Sequence, residues 1–403
     1  MHLGFLVALA VCSVFFCAPE SLAKTEDSKS SSSKVVDLGN GALPSVCSDG
    51  NRLHLAFQKA GSIYYLSSSD TGATWSVPAK VSGNGSACSY ASVASGNDGS
   101  VNIVWQDKSG QAEEEIFYTR SADGGKSWSN PINISNTPTQ SSEPKLAIGN
   151  DNALHIVWID ALSGAKSPDL YYVVSKDGGK TWTERGDLSN TPGKCANPAI
   201  AVSANGTVHI AWLDESGGES HPDILYTYNA GGGFAKWQNI SNSPRVSAHP
   251  SLACGSNNKV YLVWSDNSRK EKAADIWCVI GHDGKFRAPL NISTTPGISM
   301  HATIAADPHG RTAIAWSDSS DSPKAPNIWA RTGHEGAFSN VMEIYQSDAQ
   351  SDHPSVALTG KKAYVVWEER SGNSATIKGT AFDVSLAVGP AEGVDQMQYG
   401  HSR

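Results

Sequence analysis

The chain of 403 residues carries a formal net charge of −8 and is 39% hydrophobic and 17% charged. That balance excludes wholesale disorder, and no stretch concentrates lysine and arginine as a nucleic-acid surface would require. Two or three ordinary domains or one large repeat architecture remain; an acidic surface keeps either soluble and suits cations, sugars or basic partners.

In chain order, Leu3 to Cys17 form an apolar run too short to span a bilayer, and Ser21-Leu22-Ala23 offers small residues for cleavage before Lys24. Residues 1–23 are therefore expected to be a signal peptide, with the mature protein secreted or periplasmic. A lipid anchor at Cys17 fits less well behind the bulky Phe16. Residues 24–34, with Ser30 to Ser33 unbroken, read as a flexible linker. No later segment is long and apolar enough for a transmembrane helix. Cleavage would leave Cys47, Cys88, Cys195, Cys254 and Cys278, an odd number best read as small buried hydrophobes. Cys88 and Cys195 occupy matching repeat positions, so a disulfide between them is conceivable.

Residues 35–388 are dominated by a repeat of about 52 residues, marked by an apolar run that ends in tryptophan. Its copies are VNIVWQD at Trp105, LHIVWID at Trp158, VHIAWLD at Trp212, VYLVWSD at Trp264, TAIAWSD at Trp316 and AYVVWEE at Trp367, with LHLAFQK at Phe57 as a weaker one. A small-residue run precedes each, as in PAIAVS. An aromatic, β-branched run follows, as in DLYYVV, and then a run of the type PINIS. Four short alternating runs separated by Gly, Asn and Pro turns predict an up-and-down antiparallel sheet, the size of one propeller blade. The fold class expected is all-β: a seven-bladed β-propeller of four-stranded antiparallel blades. The last copy lacks its fourth run. Lys34 to Leu38 supplies one, so an N-terminal strand is expected to close the ring. Residues 389–403 show no strand pattern and read as a loose tail.

Between the third and fourth runs stand SSDTGATW (Ser68, Asp70, Gly72, Trp75), SADGGKSW (Ser121, Asp123, Gly125, Trp128) and SKDGGKTW (Ser175, Asp177, Gly179, Trp182). The pattern S-x-D-x-G-x-x-W, in phase with the period, resembles the Asp-box or BNR repeat of sialidase-like propellers. Blades 4 to 6 carry eroded forms, NAGGGFAKW, GHDGKF and GHEGAF. The resemblance implies a structural role for these boxes, on the face away from the usual binding side. The enzymatic sialidases add an Arg-Ile-Pro motif, three substrate-gripping arginines and a Tyr/Glu nucleophile pair. This chain has no Arg-Ile-Pro, and only Arg245, Arg269 and Arg370 fall on the binding face. The resemblance therefore implies the scaffold rather than the activity.

The position just before each first run is expected to ring the mouth of the central channel: Leu43, Tyr90, Glu143, Asn197, His249, His301 and His353. Repetition alone explains such residues as turn formers. Alternatively they bind a polar ligand, or His249, His301 and His353 hold a transition metal. A narrower enzyme reading takes Tyr90 as nucleophile and Glu143 as base. An acidic ring of Asp107, Asp160, Asp214, Asp266, Asp318 and Glu369, with Asp169, Asp223 and Asp275 opposite, either caps turns or holds calcium. His54, His155 and His209 point away from the tryptophan face and are expected to pack between blades. The function expected is a non-catalytic exported propeller binding a glycan or an extracellular or periplasmic protein at its mouth. The alternatives are a sialidase-like glycoside hydrolase with a non-standard site, or a metal-dependent enzyme using the histidine ring.

Overall fold

Each run that ends in tryptophan is the second strand of an antiparallel sheet, because alternation along it sends one face to each neighbouring blade. The computed structural model describes residues 34–384 apart from 85–86, 163, 165–167, 219–220, 269–273 and 323. The expected leader, most of the linker, the tail and Arg269 lie outside these residues. Seven sheets span 42–80, 88–133, 141–187, 195–239, 247–291, 299–345 and 350–383. The last is completed by Val36–Asn40, which pairs antiparallel with Ser374–Asp383 (Val36 opposite Gly379, Asn40 opposite Thr376). First strands touch in a closed cycle from blade 1 to blade 7 and back.

The fourth strands are shorter than the PINIS runs led one to expect. They pair over two residues in blades 1 to 5 and over Met342–Tyr345 in blade 6. In blades 5 and 6 a separate two-residue pairing, Lys285–Phe286 and Ala337–Phe338, replaces the box turn. The outer edge needs little pairing because stability lies between the sheets. Seven apolar clusters each join two adjacent blades. Trp105, Trp158, Trp212, Trp264, Trp316 and Trp367 are wholly buried in them.

The three box turns fold alike. Ser68 Oγ donates to Asp70 Oδ1 at 2.8 Å and accepts the Gly72 amide at 2.9 Å, while Asp70 accepts the amide and hydroxyl of Thr74. Ser121/Asp123 and Ser175/Asp177 repeat this pattern. The box tryptophans pack on tyrosines of the preceding blade: Trp75 on Tyr364, Trp128 on Tyr65, and Trp182 on Tyr118.

The acidic ring is consumed by the fold. Asp160, Asp214 and Asp318 each accept the amide two residues on, a first-strand Ser or Cys side chain, and the indole N–H of their own strand's tryptophan. Asp107 accepts the Ser109 amide and the Cys88 thiol at 3.1 Å. Cys88 and Cys195 thus stand where blades 3, 5, 6 and 7 have serine, and all five described cysteines are free.

His54, His155 and His209 are buried between blades, each with Nδ1 2.7 Å from a third-strand tyrosine hydroxyl: Tyr65, Tyr172 and Tyr226. Burial pushes His155 and His209 down to about 4. An unfolded histidine titrates near 6.5, so between about pH 6.5 and 4 the unfolded chain binds more protons and stability falls as the pH is lowered. The contribution is complete above pH ~6.5 and amounts to at most ~3 kcal/mol for each group. A His209→Gln variant should show a flatter fall in its urea midpoint between pH 7 and pH 4.5 than the wild type. Parallel curves would count against the assignment.

Candidate ligand site at the mouth of the central channel

The mouth residues do not precede the first strands, as the sequence pattern suggested; they lie inside them at a β-bulge. Pairing with the second strand slips between Ser142 and Lys145 in blade 3, and at the equivalent place in every other blade. Each bulge residue is left-handed: Leu43 has φ 50°, Tyr90 52°, Glu143 54°, Asn197 49°, His249 53°, His301 53° and His353 48°. This conformation is unfavourable for a residue with a Cβ. It recurs at Leu43, so the strain belongs to the blade and not to a ligand. Its effect is to present seven side chains to one axis, and their chemistry is then free to vary.

All seven line a single cavity of about 370 Å³. Two residues further in, serines tie the blades together. Ser45 Oγ accepts the Val93 amide of blade 2, Ser92 the Leu146 amide, Ser251 the Ile304 amide, and Ser355 the Val46 amide of blade 1. In blade 3 this position is Lys145, which the sequence reading missed. The signal was a lysine in SEPKLA where four other copies have serine, as in AHPSLA. Lys145 is open to the channel's water yet enclosed by the blades, and that enclosure lowers its pKa against the pull of Glu143.

On one side of the mouth, Gln106 accepts the Glu143 amide, and Glu143 accepts the Asn197 amide at 2.6 Å and its side-chain Nδ2 at 3.3 Å. Tyr90 is 45% exposed. Burial first, then Glu143 and Glu368, push its phenol above the ordinary value. A tyrosine nucleophile would need the opposite shift.

The other side holds the imidazoles. The His249 and His301 rings meet edge-on at 4.3 Å, and His301 and His353 stack at 4.5 Å. Two carboxylates missed in the sequence organise them. Asp352 lies 2.6 Å from His301 Nδ1. Glu368, fully buried, lies 3.2 Å from His353 Nδ1 and accepts Arg370 Nε at 2.6 Å and the Leu43 amide at 2.9 Å. Burial alone would raise both acids, but their hydrogen bonds outweigh it and hold each at about 2. Burial lowers His249 to about 3, helped by its imidazole neighbours; for His353, Glu368 and Asp352 outweigh burial and raise the pKa. The donors within 4.8 Å of one another are His301, Asp352 and His353 rather than the three histidines. Glu369 of the expected acidic ring instead accepts the Tyr345 hydroxyl. Among the described residues no arginine lines the cavity.

Fold and mouth together define a seven-bladed β-propeller. Residues 86–210, from blade 2 into the second strand of blade 4, match the family of BNR repeat-like domains. No curated protein matches the chain in sequence. Among solved structures it is similar to an ulvan lyase of a polysaccharide lyase family, bound to -[GlcA(1-4)Rha3S]- (TM-score 0.57, 11% identity, 87% of this chain and 96% of that one). It is also similar to a Dyadobacter fermentans protein of unknown function (0.54, 13%, 87% and 99%) and to an α-L-arabinofuranosidase of Fusarium graminearum with arabinobiose (0.51, 14%, 73% and 93%). At these identities the likeness establishes the fold alone.

Proposed function

We propose that this chain is a non-catalytic binding propeller that takes a glycan end at its channel mouth. The observation that carries this reading is the convergence of all seven bulge side chains on one polar cavity, with Tyr90 open beside them. The cavity is at the small end of the ~300–1,000 Å³ usual for ligand pockets. An aromatic face with amide, carboxylate and imidazole groups suits the apolar faces and hydroxyls of a sugar. The ulvan lyase and the α-L-arabinofuranosidase share the scaffold, and the ligands bound to both are saccharides. The leader-like residues 1–23 favour an exported protein, and among the described residues no helix is long and apolar enough to cross a membrane.

The test is a glycan array followed by calorimetry. Tyr90→Ala and Asn197→Ala should each weaken a captured glycan about 10-fold or more, roughly 1.4 kcal/mol. Thr74→Ala, in a box turn on the opposite face, should leave affinity unchanged. No captured glycan, or capture indifferent to the mouth variants, would remove the reading. The raised Tyr90 phenol and the Glu143 carboxylate committed to Asn197 argue against sialidase chemistry. Sialoside turnover that vanished in Glu143→Gln would establish the hydrolase instead.

A further inference from the structure

We propose that His301, Asp352 and His353 form a binding site for a divalent transition metal of the zinc class, whether or not a glycan occupies the mouth. One nitrogen from each imidazole and one carboxylate oxygen lie within 4.8 Å of one another, at the wall of the cavity. Asp352 Oδ1 lies 2.6 Å from His301 Nδ1, and Asp352 Oδ2 lies 3.9 Å from His353 Nδ1. Tetrahedral ligands at 2.0–2.1 Å from zinc stand about 3.3 Å apart, between these two values. Two imidazoles and one carboxylate, with the remaining coordination direction open to a cavity, are the donor set and openness that zinc accepts. Calcium would need six or more oxygens, which this set does not offer.

The surroundings fit a bound cation. Glu368, wholly buried behind the site, lies 3.2 Å from His353 Nδ1 and places a second carboxylate beside a bound cation. Asp352 and Glu368 carry two negative charges against the single positive charge of Arg370. Repetition explains the histidines, since His249 stands at the same position in blade 5. It does not explain Asp352. The other six copies have Ala42, Ser89, Ser142, Ala196, Ala248 and Met300 there, so the acid is peculiar to the blade that completes the trio.

The experiment is titration of zinc into chelator-stripped wild-type protein by calorimetry, with cobalt absorption as a second readout. One ion per chain is expected, with a visible cobalt band and a rise in thermal midpoint on metal addition. Asp352→Asn and His353→Gln should keep the circular dichroism of the wild type while losing at least 10-fold in affinity. His249→Ala should stay within about 3-fold of wild type, since His249 lies outside the trio. Failure to bind zinc, or Asp352→Asn binding as the wild type does, would overturn the site. Loss in His249→Ala equal to that in Asp352→Asn would overturn this donor set in favour of the three histidines. A glycan that still binds the stripped protein leaves the function proposed above standing, so the two proposals fail separately.

Discussion

A chain truncated to begin at Gly41 is expected to lose roughly 3–5 kcal/mol of stability and to self-associate. Val36–Asn40 is the outer strand of blade 7, although it stands more than 330 residues from its partner Ser374–Asp383 in sequence. Its removal strips Val35 from the cluster between blades 6 and 7 and Leu38 from that between blades 7 and 1. Two partly buried aliphatic side chains, at ~1.5–3 kcal/mol each when fully buried, account for most of the loss. Backbone pairing opposite Thr376–Gly379 goes too, as does the Lys378–Asp37 ion pair at 3.0 Å. The exposed pair is worth little; the unpaired edge matters more, because it offers donors and acceptors to another chain. Urea unfolding with light scattering on both proteins would read the two effects. An unchanged midpoint would show that the N-terminal strand does not hold the ring shut.

Gly72→Ala should cost about 2–5 kcal/mol, from left-handed strain of ~1–2 and overpacking of ~1–3. Gly72 has φ +86°, and a Cβ there would lie 1.9 Å from Tyr364 Cε2. Tyr364 belongs to the second strand of blade 7, and Trp75 Nε1 donates to its hydroxyl at 3.3 Å. The box turn of blade 1 is therefore wedged against the same seam that Val36–Asn40 closes. Gly125 and Gly179 meet Tyr65 and Tyr118 in the same way, at 2.3 and 2.5 Å. Gly99 supplies the control: its φ is +76°, but a Cβ would meet nothing within 4 Å. Gly99→Ala should cost only the backbone strain, about 1–2 kcal/mol. Equal losses at Gly72 and Gly99 would mean that the tyrosine ring yields and that the box is no clamp.

The blades were legible in the sequence because their causes are local. Alternation identifies a strand, Gly and Asn identify its turns, and a steady period copies both. The mouth was legible for the same reason, as the repeat places Tyr90, Glu143, Asn197 and the three histidines in register. The bulge was harder to see. His301 and His353 look like residues that end a loop before Ala302 and Pro354, whereas they occupy the middle of a strand whose pairing slips by a residue.

The sequence by itself determined the number of blades, the order of their strands and the N-terminal segment that shuts the ring, because each rests on period and pattern along the chain. Only the tertiary structure decided which acids reach the site. Side chains alternate along a strand, so a shift of one position exchanges faces: Glu368 turns to His353, while its neighbour Glu369 turns away to Tyr345. Asp352 meets His301 from the next blade, 51 positions away, and Lys145 enters the channel where serines elsewhere bind the following blade. Such meetings arise where seven strands converge on one axis, and spacing along the chain does not encode them.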